Sequence, residues 1–213
     1  MHQLSIGDSS TQKLFLFDFD GVVADSLEFY AAFMNRCLLE IGEEPFSRHD
    51  FLEIFEENFY EGIARKGIDV LIYTATSANL ARTLDYSTVA PVKKIAPVLE
   101  ALMNDHILGI ISSNSHYAIG RLLAEFGYER YFKNILGQDF MLSKVDKICH
   151  ATEQFKAGRD RTFYIGDTVG DIREAKQAGV GTVAVTWGWH SREKLESASP
   201  DYLIDDPEEI LQI

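Results

Sequence analysis

The chain is poor in cysteine. Two thiols, Cys37 and Cys149, lie far apart among 213 residues, each in a stretch of helical, partly apolar character. That excludes a disulfide-stapled scaffold and offers no zinc knuckle, so free, buried thiols are expected. Proline and glycine are also modest, at 5 and 15 residues, and no repeat or low-complexity tract appears. No apolar run approaches the roughly 18 residues needed to span a membrane. Basic residues are outnumbered, 20 Lys and Arg against 33 Asp and Glu, for a net charge of −13. Such a surface repels nucleic-acid backbones and anionic lipid, so neither is an expected partner. A small anionic substrate would need a locally positive pocket. The opening M-H-Q-L-S-I-G-D-S-S-T-Q has no basic n-region and no long apolar core, so no secretory signal is expected and the cytoplasm is the expected compartment.

What is present centres on K-L-F-L-F-D-F-D-G-V-V-A-D-S, residues 13–26. A continuous apolar run suits a strand buried on both faces. Acids are disfavoured in strands, yet Asp18 and Asp20 end this one. Side chains at i and i+2 share a side, so the two carboxylates should project together from the carboxyl end. Held that close, one must rise in pKa unless a cation intervenes. The pair offers a nucleophile, a proton carrier and half a metal site. Gly21 allows a sharp turn that brings backbone N–H groups near an anion. A plain strand end with solvated acids is the competing reading of these residues alone.

The chain after Asp25 changes character. Ser26 can cap a helix from Leu27 to about Ile41, closed by Gly42. A second helix fits Ser47 or Asp50 to about Gly62, its stripe of Phe51, Phe55 and Phe59 at i, i+4 and i+8. Aromatics at that spacing usually build core rather than a ligand box. From Leu27 to Ala90 no strand period appears, so residues 26–90 read as a helical cap inserted into a core made of 1–25 and 91–213. From residue 107 strands and helices alternate, the pattern of a doubly wound parallel α/β sheet with ligands at the strands' carboxyl ends.

Further polar clusters fall at those ends. Ser112, Ser113 and Asn114 end the strand read over residues 107–115 and could hold phosphate oxygens, though a capping turn is the simpler reading. Lys144, with Lys147 nearby, stands in the first turn of a helix capped by Ser143, where the dipole prefers anions. It makes sense there if it reaches toward negative charge. Asp167 and Asp171, in G-D-T-V-G-D-I, leave a buried strand at the same edge as Asp18. Carboxylates with water and a backbone oxygen suit Mg²⁺, although helix capping remains a fair reading of Asp171. Phosphoryl transfer needs positioning and charge neutralisation above all, and this set provides both. Asp18 would attack phosphorus, Asp20 would move the protons, and Ser113 and Lys144 would hold the equatorial oxygens.

Taken together, these motifs resemble the haloacid dehalogenase-like superfamily, specifically its small-molecule phosphatases with a helical cap. The resemblance implies Asp18 as nucleophile and Asp20 as acid/base, with the Asp20 backbone carbonyl on the metal. It implies Ser113, or Ser112 one residue earlier, as the phosphate-binding hydroxyl, and Lys144 as the third-motif lysine. Asp167 is implied as a magnesium ligand, and Asp171 as ligand or outer partner. The tail, T-W-G-W-H-S and P-D-Y-L-I-D-D-P-E-E-I, resembles phosphoglycolate phosphatases, which makes phosphoglycolate the leading substrate expectation. Gly21 and Asn114 join Ser113 and Lys144 as expected substrate contacts, and a monomer or homodimer is expected. Two departures stand out: Val22 where many phosphoglycolate phosphatases carry Thr, and Val145 where proline often follows the lysine. Rival readings are a phosphomutase of the beta-phosphoglucomutase type and a non-catalytic phospho-ligand sensor.

Overall fold

The structure, a computed structural model, describes residues 12–213. The expectations for the first dozen residues, a loose start with no leader, fall almost wholly outside the described residues. The core is a six-stranded parallel sheet in the order β5-β4-β1-β6-β7-β8. Its strands are β1 (Leu14–Phe17), β4 (Ile107–Ile111), β5 (Asn134–Leu136), β6 (Thr162–Gly166), β7 (Gly181–Val185) and β8 (Tyr202–Ile204). Alternation along β1 shows why the run is apolar throughout. Phe15 and Phe17 enter one buried cluster and Leu14 and Leu16 another, because helices cover both faces. On the first face lie α5 (Ile95–Asp105) and α6 (His116–Phe126), through residues such as Leu99 and Leu122. On the second lie α7 (Lys144–Phe155) and α8 (Val169–Ala178), through Ile148 and Ala175. The α/β class is as the alternating pattern indicates.

The central strand β1 pairs in parallel with β4 on one side and β6 on the other. The chain winds outward in both directions from it, so the crevice for a ligand opens at the carboxyl ends of these three strands. The acids, serines and lysine singled out above meet there, whereas the tail motif over 200–210 lies along β8 and the turn after it.

Between β1 and α5 comes a helical insert. It contains α1 (Leu27–Glu40), α2 (Arg48–Glu53), α3 (Phe59–Arg65) and α4 (Val70–Ala81). A two-residue ribbon, β2 (Ala24–Asp25) paired antiparallel with β3 (Ala90–Pro91), closes its base. The insert has its own core of Met34, Cys37, Leu38, Phe51 and Ile63, among others.

Two local expectations need correction. The single helix expected from about residue 47 to 62 is broken into α2, a 3-10 turn over Ile54–Glu56, and α3. Glu57 is extended, and Asn58 restarts the helix by accepting the Tyr60 N–H. Gly62 then packs so close to the Ile54 carbonyl that a Cβ would stand 2.1 Å from its oxygen. The second correction concerns Ser26, which starts α1 but makes no side-chain capping bond. Its hydroxyl is engaged elsewhere, as described below.

The insert is tied to the core by polar contacts. Arg173 donates to the Glu56 carbonyl at 2.7 Å, and Asn58 to Glu174 at 2.8 Å. The Val169 N–H donates to Nδ1 of His190, which leaves the proton on Nε2 to bond the Leu52 carbonyl at 2.9 Å. At Gly170 the contact is by backbone: a Cβ there would meet the Glu57 oxygen at 2.2 Å. Gly170→Ala should therefore force the two bodies apart and lower stability by about 1–3 kcal/mol, as overpacking does. Urea denaturation checks this, and an unchanged midpoint would mean the interface is more yielding than its geometry implies.

Candidate active site

Asp18 sits one residue past β1 and continues the sheet ladder, its N–H bonded to the Ile165 carbonyl at 2.8 Å. Its Oδ1 accepts the Phe19 N–H at 2.7 Å, and its Oδ2 accepts from Nζ of Lys144 at 2.8 Å. The same ammonium reaches Oδ1 of Asp171 at 2.6 Å. All three side chains are buried. Lys144 thus stands in a helix's first turn because two carboxylates face it from β1 and α8. Burial alone would lower its pKa, but Asp171 and Asp18 outweigh that and hold it well above the ordinary lysine value.

The acids are differentiated by their surroundings. Burial raises Asp18 to about 6, with Lys144 resisting and Asp171 adding to the rise. Asp20 goes higher, to about 7, through burial and then the nearby Asp18 charge. Both carboxyls are thus pushed up, Asp20 further than Asp18. Two carboxyls pushed apart in this way suit a nucleophile beside a proton carrier. Asp20 is held by Ser26, whose Oγ donates to Oδ1 at 2.8 Å, and by Asn114, whose Nδ2 donates to Oδ2 at 3.0 Å.

Asp167 follows β6, is fully buried, and has a pKa driven well up by burial and by Asp171 and Asp18. Its Oδ2 accepts the Trp189 N–H at 2.7 Å, while its Oδ1 has no hydrogen-bond partner. A buried carboxylate oxygen left without a donor fits a cation. Oxygens of Asp18, Asp167 and Asp171 lie within 4.8 Å of one another, a hard, all-oxygen set suited to a divalent ion. Asp171 is the most committed of the three. Besides Lys144 it accepts from Thr168 N and Oγ1 in a capping box. Lys144 outweighs its burial and holds its pKa below the ordinary value. The Asp20 carboxyl is not in that group.

Gly21, expected as a substrate contact, does not line the cavity, and glycine is needed there for a different reason. Its N–H bonds the Ala24 carbonyl at 2.8 Å and is not free for an anion. Its φ of +80° and its distance to Asp167 are what require glycine: a Cβ would lie 2.1 Å from Asp167 Oδ2. The two serines differ as well. Ser112 is buried at the end of β4 and its Oγ accepts the Asn114 N–H at 3.0 Å. Ser113 is half-buried, and its carbonyl accepts the Tyr60 hydroxyl at 3.2 Å. Both line the cavity, as do Asn114, Lys144 and Asp167.

Several residues that hold the site had no sequence signal of their own. Ser26 looked like a helix cap. Tyr164 gives its hydroxyl to Asp171 at 3.3 Å from within β6, and Glu174 accepts the Lys144 backbone N–H at 3.0 Å. Lys147, fully buried, donates to the Ser112 carbonyl at 2.6 Å, and burial together with Lys144 lowers its pKa to about 7. A residue pair spaced by one helical turn gave a hint for Lys147 alone. Arg65 and Lys66 lie away from the cavity in exposed pairs with Glu57 and with Asp50 and Glu53, and His116 is exposed.

A family model described as haloacid dehalogenase-like hydrolase matches residues 15–185. The chain belongs to this family. It is 28% identical over 202 residues to a phosphoglycolate phosphatase of Synechococcus elongatus, covering 92% of this chain and 94% of that one. It is 26% identical over 208 residues to the pyrophosphatase PpaX of Oceanobacillus iheyensis, covering 94% and 96%. Among solved structures, a haloacid dehalogenase-like hydrolase from Streptococcus pneumoniae superposes with a TM-score of 0.80 at 19% identity, over 95% of this chain and 98% of that one. A Clostridium acetobutylicum protein described as a predicted phosphatase gives 0.83 at 21%, over 96% and 100%. The structural likeness establishes the fold. With the family and these relatives, the chain is a phosphoric monoester hydrolase.

The raised pKa of Asp20 has a thermodynamic consequence. Between about pH 4 and 7 the folded chain keeps a proton that the unfolded chain releases, so this group weakens folding as pH rises through that window. Asparagine cannot titrate. In chelator-treated protein, the stability of Asp20→Asn relative to wild type should grow from about pH 4 to 7 and level off above. Denaturant titration at each pH measures the difference, and a difference independent of pH would contradict the raised value.

Proposed function

We propose that this enzyme is a magnesium-dependent phosphatase that cleaves a small phosphorylated metabolite through an aspartyl-phosphate on Asp18. The observation that carries the reading is the meeting in one cavity of Asp18, held by Lys144, Asp20, held by Ser26 and Asn114, and Asp167 with its unpartnered carboxylate oxygen. Asp18 attacks phosphorus through a carboxylate oxygen, and the ester P–O bond breaks. Asp20 gives its proton to the departing alkoxide. Water then attacks the phosphorus of the acyl-phosphate, Asp20 takes its proton back, and the bond to Asp18 breaks to free inorganic phosphate.

Lys144, Ser112 and Ser113 are placed to hold phosphate oxygens at the mouth of β4 and α7. Ser26 and Asn114 keep the Asp20 carboxyl oriented for both proton transfers. The side chains of Asp18 and Asp167 and the Asp20 carbonyl would hold Mg²⁺, with Asp171 outside it fixing Lys144. Mg²⁺ bound there supplies charge neutralisation for phosphate oxygens brought next to acids.

Residues 26–90 act as a cap on the core of 1–25 and 91–213, excluding bulk water and selecting the leaving group. Contacts from Tyr60, Asn58 and the Leu52 carbonyl to the core support that role. Phosphoglycolate, named for several relatives, is the first ester to compare. Among the described residues no helix is long and apolar enough to cross a membrane.

Asp18→Asn should lower phosphate release by on the order of 10⁴-fold or more while circular dichroism stays native. Chelation should abolish turnover of the wild type and added Mg²⁺ restore it. Substantial turnover by the variant would remove Asp18 from the role of nucleophile, and full activity in chelator would remove the metal.

A further inference from the structure

The cavity is bounded by the core on one side and by the insert on the other. Its two halves differ in chemistry. The acids, the serines, Asn114 and Lys144 all come from the core. The wall opposite comes from the insert and from one core loop, and its main elements are Phe33, Phe51, Phe55, Phe59, Tyr73 and Trp189. No Asp, Glu, Lys or Arg of the insert lines the cavity. Among the described residues Lys144 is the one cation lining it, and its bonds go to Asp18 and Asp171. The insert's hydroxyls are largely committed too. Tyr30 is bonded to Asn114, and Ser77 donates to the Thr74 carbonyl at 3.0 Å.

The wall rings pack into one another. Phe55 stacks on Phe59 at 5.3 Å and stands edge-on to Trp189 at 4.9 Å, which also meets Phe51 at 5.4 Å. Four rings locked together form a pre-organised apolar surface at low entropic cost on binding. Nε1 of Trp189 is buried without an acceptor.

We infer that the leaving group is an uncharged, apolar or aromatic alcohol, seated against the Phe51–Phe55–Phe59–Trp189 wall. This rests on the phosphatase reading above and names its substrate class. A leaving group with a carboxylate, as in phosphoglycolate, would bury that charge against rings with no cation to meet it. A sugar would bury hydroxyls with few partners. A quaternary ammonium would gain ring faces but no carboxylate from the insert.

The test compares four alkyl esters of phosphate, so that leaving-group chemistry differs little: ethyl phosphate, 2-phenylethyl phosphate, 2-phosphoglycolate and choline phosphate. The wild-type enzyme with Mg²⁺ should show kcat/KM for 2-phenylethyl phosphate on the order of 10²-fold above 2-phosphoglycolate and above ethyl phosphate. Equal or better turnover of 2-phosphoglycolate or of choline phosphate overturns the inference. Calorimetric binding of (2-phenylethyl)phosphonate against phosphonoacetate separates this inference from the mechanism. Tighter binding of the phenyl compound sustains the inference even if none of the esters is hydrolysed, in which case the phosphatase reading falls alone. Equal or weaker binding overturns the inference even if hydrolysis is fast. Phe55→Ala should narrow the phenylethyl-to-ethyl ratio about tenfold. A ratio left unchanged in a folded variant also overturns it.

Discussion

A single buried ammonium organises this molecule. Nζ of Lys144 lies within hydrogen-bond distance of Asp18 and Asp171, and so fastens α7 to the end of β1 and the start of α8. Removing one partner from such a buried set typically costs about 3–5 kcal/mol, because the remaining charges are left uncompensated. The same arrangement gives the site its electrostatic pattern. Lys144 resists the rise at Asp18 and holds Asp171 below its ordinary value, whereas Asp20 and Asp167, which it does not touch, are driven up by burial and by their neighbours. One side chain therefore joins three elements of the core and sets the electrostatics of the acids around it.

Much of the core was legible because its signals are local. A strand covered on both faces must be apolar at every position, and L-F-L-F is; Leu14 and Leu16 face one set of helices and Phe15 and Phe17 the other. A capping serine marked the start of α7, while β4 stops at Ile111, before the serines and Asn114 at the end of the stretch over 107–115. The acids stood out since nothing in strand physics favours them there. What stayed illegible depends on long-range partners. Ser26 has the sequence context of a cap, but Asp20 recruits its hydroxyl. Gly21 has the context of an anion-binding turn, but its N–H closes a loop onto Ala24 and its missing side chain makes way for Asp167. The break between α2 and α3 turns on Asn58 and on the close approach of Gly62 to Ile54, which a helical period across 51, 55 and 59 conceals.

That phenylalanine stripe joins both readings of aromatic periodicity. Phe51 is buried in the insert's own core, and it also borders the cavity beside Trp189. Core packing holds these rings rigid, and rigidity is what makes their outer surface a defined shape. Choosing between structural and ligand-facing roles by spacing alone was therefore a choice between two descriptions of the same side chains.

The ribbon of β2 and β3 carries a consequence for how such a molecule can diversify. The polypeptide leaves the catalytic body at Ala24–Asp25 and comes home at Ala90–Pro91, in adjoining antiparallel segments. Whatever lies between is grafted at a single joint. An exchange of that graft leaves every strand of the six-stranded sheet, and the acids at its ends, uncut.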